Sequence, residues 1–388
     1  MRLLLVGILF FNFLIIHAQE AETDTSKKAG PVQIDFMIGY YEQDGNHSAV
    51  TGGIGTEELD DIATQIEVYV PLNKKQAIST SIHFNHYTSA STDKIDGIVS
   101  SASFMDNRAQ VSVGYHEFRP KIAYSLIAGG SIESDYMSTW LGASFVKGYK
   151  NDQTIMTGGF TAFFDQWLMI FPTELRSVAQ YDLGNRLRRT MVAKFGIDQT
   201  LHPKWRAGIN LEAVYQWGLL STPFHRVYFS DTSGVAVERL PRHRFKVPIA
   251  AWVNWAAANK LMLHFNQRVY GDQWGIFAST TEFSLTYEPV FGLRFHPHAR
   301  FHIQSGANYF YDFEEASFFD QYYTSDWDLS ALNTWEVGLG VKYAPLYGRS
   351  KEKPGRAAFR YIHTDFSYFS RSDGLWSYLL TFGLGFQL

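Results

Sequence analysis

Residues 376–388 read WSYLLTFGLGFQL. Tyr378, Leu380, Phe382, Leu384, Phe386 and Leu388 alternate with Leu379, Thr381, Gly383, Gly385 and Gln387, the period of two that marks a β-strand. One face is wholly apolar and partly aromatic; the other, beyond Leu379, is small or polar. A strand written this way at the carboxyl end reads as the closing strand of an outer-membrane β-barrel, with its apolar face on lipid and its small face on a lumen.

The amino end agrees. Arg2 precedes an apolar run over residues 3–16, and His17-Ala18-Gln19 offers a cleavage point after Ala18. The run is shorter than the ~20 residues a spanning helix needs, so a spanning-helix protein is not expected. The expected organisation is a signal peptide over 1–18, a polar periplasmic leader over 19–31 (QEAETDTSKKAGP) and one barrel over 32–388 in the Gram-negative outer membrane. The sequence has no Cys, which excludes a disulfide scaffold and a lipoprotein. A formal charge of −4 gives no pull toward nucleic acid, and 16% aromatic residues exclude a polar, disordered secreted chain.

The alternation recurs along the chain. Val32, Ile34, Phe36, Ile38 and Tyr40 oppose Gln33, Asp35, Met37 and Gly39; Ile62, Ile66, Val68 and Val70 oppose Gln65, Glu67 and Tyr69. Trp205 to Tyr215 and Phe245 to Val253 repeat it, with every charge on the second face. The longest run, from Phe283 to Phe295, is expected to turn at His296-Pro297-His298 and resume from Ala299 to Tyr309; Trp335 to Tyr343 follows. A soluble β-sandwich also alternates. Run lengths near the ~9–11 residues that cross a bilayer at a tilt decide for a barrel. So do Tyr and Trp near strand ends (Tyr40, Tyr69, Tyr115, Trp205, Tyr215, Trp217, Trp255, Tyr287, Tyr343, Tyr378), placed as girdles.

Connections alternate too. Short turns are expected near 71–75, 117–121, 149–152, 201–204, 256–260 and 296–298, and long segments over 42–60, 88–106, 166–189, 218–241 and 312–332. Short turns lie periplasmic and long loops extracellular. The expected fold is therefore all-β, a transmembrane antiparallel up-and-down β-barrel of about sixteen strands, with fourteen as the alternative count.

GNHSAVTGGIGTEELDD at 45–61, STPFHRVYF and VERLPRHRF within 221–245, FNQRVYGDQWGI at 265–276 and TSDWDLSALNTWEVGLGVKY at 324–343 resemble a Gram-negative family of outer-membrane barrels known as a domain of unknown function. The likeness spans nearly the whole mature chain. It implies the fold and the location. Members are often encoded beside a periplasmic flavin-attaching enzyme and a thioredoxin-like protein, which implies a redox or envelope-modification context. With no Cys and no flavinylation threonine motif, this chain would be a partner there and not a redox centre. Barrels of this kind commonly end on an aromatic residue read by the insertion machinery; here the end is Leu388, with Phe386 on the same face.

Several motifs invite a site. The glycines between Gly45 and Gly55 suggest a phosphate loop, but lack the Lys-Ser/Thr of a Walker motif, and read as a surface loop. Glu57, Glu58, Asp60 and Asp61 fit no EF-hand spacing. His83 and His86 have opposite strand parity and cannot share a metal; His296, His298 and His302 share parity and read as polar residues of a wet rim. No G-x-S-x-G is found, so an outer-membrane hydrolase is the least favoured class. No metal, cofactor or catalytic set is expected.

Two residue groups remain as candidates. Glu67, Lys194, Asp198, Arg206, Glu212, Arg268, Glu282, Arg294, Arg300, Glu336 and Lys342 have lumen parity. In the loops, Arg176, Arg186, Arg188, Arg189, Arg226, Arg239, Arg242 and Arg244 are basic, and an acidic-aromatic stretch holds Asp312, Asp326, Trp327 and Asp328. They are read either as loops neutralising one another over the barrel or as contacts for lipid phosphate, a cation or a partner. The first functional expectation is a channel or small-solute barrel. The alternative is a structural, partner-anchoring barrel closed by its loops and tied to a periplasmic envelope or redox system. The expected partners are outer-membrane lipid, the barrel-assembly machinery and a periplasmic protein, with no nucleic acid.

Overall fold

Sixteen long strands with one wet and one apolar face have no free edge only if the sheet closes on itself. The computed structural model describes residues 30–88, 105–175, 186–345 and 357–388, and shows that closure. The expected signal peptide and Arg176 lie outside the described residues, as does all of the expected leader but its last two positions.

In chain order the strands are β1 (Gln33–Asp44), β2 (Leu59–Asn73), β3 (Gln76–Thr88), β4 (Met105–Arg119), β5 (Ile122–Ile132), β6 (Tyr136–Tyr149), β7 (Thr154–Trp167), β8 (Leu187–His202) and β9 (Trp205–Gly218). A small hairpin, β10 (Arg226–Tyr228) and β11 (Val235–Val237), interrupts them. Then come β12 (His243–Ala258), β13 (Leu261–Asp272), β14 (Phe277–Val290), β15 (Leu293–Gln304), β16 (Leu332–Tyr343), β17 (Ala358–Arg371) and β18 (Trp376–Gln387). All but β10 and β11 pair antiparallel with their neighbours into one ring of sixteen. The C-terminal strand closes it, with Gln33 opposite Gln387 and Asp44 opposite Trp376.

Alternation sorts the faces as read. Leu126, Leu141, Ile209 and Trp335 are each more than half exposed on the outer surface, where lipid and not water meets them. Polar side chains on that face bond within the sheet: the Gln267 amide is satisfied by Ser279 and Thr281 on the neighbouring strand, and the Thr64 hydroxyl donates to the Phe84 carbonyl. The interior is not a packed core. Bulky rings lie over glycines instead; a Cβ at Gly383 would fall 2.3 Å from the His363 ring, and one at Gly385 2.3 Å from Tyr361.

Four readings are corrected. The turn expected at His296-Pro297-His298 lies between Val290 and Leu293, where Gly292 has φ 84° and its N–H donates to Glu288. A register shift between Tyr287 and Val290 preserves parity through the turn, so the pattern runs on without a visible break. Pro297 sits inside β15, where it has no N–H to donate, and the pairing with β14 skips from Ser284 to Tyr287 opposite it. Ala307 and Tyr309, read as strand, follow the end of β15 and pack in a loop cluster. Tyr69 is no girdle residue: it faces inward against the His116 ring at 6.1 Å. Loop lengths alternate less strictly than expected. Extracellular connections after β5, β13 and β17 are tight, and the β16–β17 connection on the periplasmic side spans 344–357.

Candidate functional site

The interior charges pair across strands because register sets them side by side. Lys194 lies opposite Glu212 and reaches it at 3.4 Å; Arg206 meets Asp198 at 2.6 Å. Glu282, Arg300 and Glu336 form a row over β14, β15 and β16, with Arg300 3.6 Å from Glu336. Glu67 is bonded to Gln65 and faces Asp35, which Arg360 holds at 3.2 Å. Arg294 and Lys342 are opposed like charges; Glu288 takes Arg294 at 3.0 Å, and Lys342 lies over the Tyr361 ring at 4.1 Å. Together with His296, His363 and Asp365, Arg294 and Lys342 line a cavity of about 290 Å³. Arg268 stands inward between Ala250 and Thr280. The side chains of Lys194, Arg300 and Arg294 keep 28%, 41% and 51% of their exposure, so water reaches the lumen wall.

The extracellular loops build the second part. Three buried apolar clusters are present among the described residues, and all are made of loop and hairpin residues rather than barrel strands' inner faces. Val227, Phe229, Ala236, Ala316 and Tyr323 form one; Leu240, Trp274, Ile276 and Ala307 another; Phe171, Leu175 and Val237 the third. They draw on the β7–β8, β9–β12, β13–β14 and β15–β16 connections. The β1–β2 loop and the β9–β12 loop leave from opposite sides of the ring. Yet Arg226 donates to the Val50 carbonyl and to Glu174 at 2.6 Å, while Ser325 donates to the Arg226 carbonyl. Loops that meet from opposite sides span the mouth. Gly52, with φ 90°, permits this: a Cβ there would fall 2.5 Å from the Tyr228 ring. His47 of the β1–β2 loop stacks on Trp327 of the β15–β16 loop at 3.7 Å. These contacts form a lid.

Polar groups are buried within the lid. His225 and Glu238 flank the hairpin one step beyond the Arg226–Val237 pair, joined by Glu238 N–H to the His225 carbonyl. Backbone bonds exchanged by Arg239 and Tyr323 bring the β15–β16 loop alongside, which sets Asp326 beside them. Ligand atoms of His225, Glu238 and Asp326 all lie within 4.8 Å of one another. Burial raises the Asp326 pKa to about 6, helped by Asp328 and opposed by His225. Burial alone would lower the His225 pKa, but Glu238, Asp326 and Asp328 outweigh it and hold the imidazole up. Nearby, burial and then the charge of Asp328 push Glu57 up to about 8, against the pull of Arg371. Arg371 binds Asp328 and Asp373 at 2.6 Å each and stands 3.9 Å from Glu57. A second carboxylate group, Asp106, Glu133 and Asp135, lies at the ends of β4, β5 and β6 with Arg108 3.4 Å from Glu133.

The other candidates disperse. Arg188 is in β8, bound to Asp165 at 2.9 Å and to the Tyr136 hydroxyl. Arg189 lies over Phe164 on the outer side, and Arg186 offers its carbonyl to Trp167. Arg244 joins Asp272 beneath Trp274, Arg242 is exposed, and Asp312 caps the turn at Phe313. Asp60 and Asp61 take opposite faces of β2, one bonded to Tyr40 and one to Asn85, so the acidic run does not converge. His83 and His86 also take opposite faces, bonded to Ser81 and Asn107. His296, His298 and His302 form a column in β15. Sequence reading missed His225, Glu238, Glu174 and Arg371. Their signal was the hairpin flanking itself, HRVYF before and VAVE after a polar turn, inside a stretch read only for its arginines.

The barrel resembles solved outer-membrane structures. A bacterial polysaccharide outer membrane secretin is 9% identical, with a TM-score of 0.50, covering 92% of this chain and 98% of that one. OpdK of Pseudomonas aeruginosa, solved with vanillate, is 9% identical at TM-score 0.40 and covers 92% and 98%. A BenF-like porin from Pseudomonas fluorescens is 9% identical at TM-score 0.44 and covers 92% and 99%. At that identity the likeness to the secretin speaks for the fold alone. No curated protein matches the sequence. A family described as "Protein of unknown function (DUF3570)" matches residues 5–350, and the chain belongs to that family of outer-membrane barrels.

Proposed function

We propose that this barrel is a channel for small, hydrated solutes whose outer mouth is shut by its own loops and opens when they separate. The observation that carries the reading is the pairing of a water-accessible, charged wall with a mouth bridged from opposite sides. Paired charges of both signs favour no strong ion preference, and suit solutes that carry both. The chain reaches this state after export, removal of residues 1–18 and insertion by the barrel-assembly machinery. Proteoliposomes test it. A variant with residues 220–241 replaced by a short Gly-Ser turn is expected to admit amino acids and small sugars faster than wild type. Folded variant that admits none would sink the reading.

The packed lid favours one other reading, that of a closed barrel serving as an anchor for a periplasmic partner. Crosslinking in the native membrane separates the two. A partner captured at the periplasmic 344–357 connection, with no solute uptake by the lid-shortened variant, supports the anchor.

A further inference from the structure

We propose that His225, Glu238 and Asp326 form a site for one divalent first-row transition cation, of the Zn²⁺ class, which pins the hairpin loop to the β15–β16 loop. This deepens the gated-channel reading and rests on it for its consequence, though not for the binding itself.

The three donors are placed by backbone. His225 and Glu238 are opposite positions at the foot of the hairpin, so their side chains leave on one face. Asp326 arrives from the other loop, held by the Arg239–Tyr323 bonds and the Tyr311 N–H to Thr324 carbonyl bond. The distance between His225 Nδ1 and Glu238 Oε2 is 3.5 Å. That is long for a hydrogen bond. It is close to the edge between two ligands of a tetrahedral cation, roughly 3.4 Å for bonds of ~2.1 Å. His225 Nδ1 is buried and makes no hydrogen bond, with the Glu238 carboxylate only at that 3.5 Å ion-pair distance, so the loops fold around a ligating atom grouped with two carboxylates.

Outer partners are in place. The Glu238 carboxylate accepts from the Thr222 N–H at 2.7 Å and from the Thr324 hydroxyl, and Asp326 accepts from the Asp328 N–H at 3.0 Å. Thr324 in turn accepts from the Asp326 N–H at 3.0 Å, tying two of the ligands to one fully buried hydroxyl. Such bonds orient carboxylate ligands. The donor set selects the cation: one imidazole with two carboxylates suits Zn²⁺ and its neighbours, whereas Ca²⁺ wants six or more oxygens. Three protein ligands leave a position for water.

The test uses full-length barrel folded in detergent, stripped with chelator and titrated with Zn²⁺ by calorimetry. Heat-modifiable mobility on gels confirms that each variant is folded. Wild type is expected to take up one Zn²⁺ per chain, and His225→Ala and Asp326→Asn to lose it. Thr324→Val, which spares all three ligands, is expected to weaken binding about 10–100-fold. Hydrogen exchange at residues 226–237 is expected to slow on Zn²⁺ addition in wild type alone. Folded wild type that takes up no Zn²⁺, that binds Ca²⁺ in preference, or that binds Zn²⁺ equally in the His225→Ala and Asp326→Asn variants overturns the proposal. A barrel that binds Zn²⁺ here but never conducts leaves the site standing and removes the channel reading alone.

Discussion

Arg226 ties its own loop to three others, since its guanidinium bridges Glu174 and the Val50 carbonyl while its backbone carbonyl takes Ser325. Arg226→Ala is expected to lower the opening free energy of the hairpin by about 1.5 kcal/mol, the low end for a charged hydrogen bond because Glu174 is 40% exposed. Hydrogen exchange at Val227 and Ala236 reads this, with the barrel strands unchanged. Inside the lumen, Gly338 is the contrasting case. A Cβ there would lie 2.4 Å from the His298 ring and 2.7 Å from the Phe366 carbonyl. Gly338→Ala should therefore cost about 1–3 kcal/mol of barrel stability, seen as a lowered denaturation midpoint. Lumen charges such as Lys194 and Glu212 were legible because parity alone decides which way a strand residue points. His225 and Glu238 were not, since a loop hairpin of three-residue strands shows too little alternation to read.

At the scale of elements, the faces of each strand and the behaviour of the lid make separate predictions. Leu211, on the outer face near the middle of β9, tests the first. Leu211→Arg should destabilise the barrel by about 2–4 kcal/mol, whereas Asn210→Arg, one residue away on the lumen face, should cost clearly less. Equal losses would contradict the assignment of faces. For the lid, Glu57 is held protonated near neutrality, its pKa pushed up to about 8 by burial and Asp328. A carboxyl whose folded pKa is raised binds more protons folded than unfolded above its ordinary value. Its contribution to closure is present at low pH and is lost as pH rises from about 4.5 through about 8. In metal-free protein, protease cleavage of the 45–58 loop should therefore speed up between pH 5 and pH 8.5, and Glu57→Gln should flatten that rise. The turn between Val290 and Leu293 shows where element reading fails: the register shift keeps the apolar residues in phase, so the sequence crosses a turn without changing its pattern, while Pro297 imitates one.

For the whole molecule, closure followed from the ends. The terminal strand needs a partner for each edge, and β1 and β17 supply them. The lid could not be foreseen in the same way, because its contacts join residues as far apart as Val50 and Arg226, and no periodicity relates them. A conducting lumen shut by its lid is tested directly by single-channel recording in planar bilayers, on wild type and on the variant with residues 220–241 replaced by a Gly-Ser turn. Rare, brief openings are expected for wild type and a steady, larger conductance for the variant. Steady porin-like conductance from wild type, or a folded variant that stays silent, would contradict it.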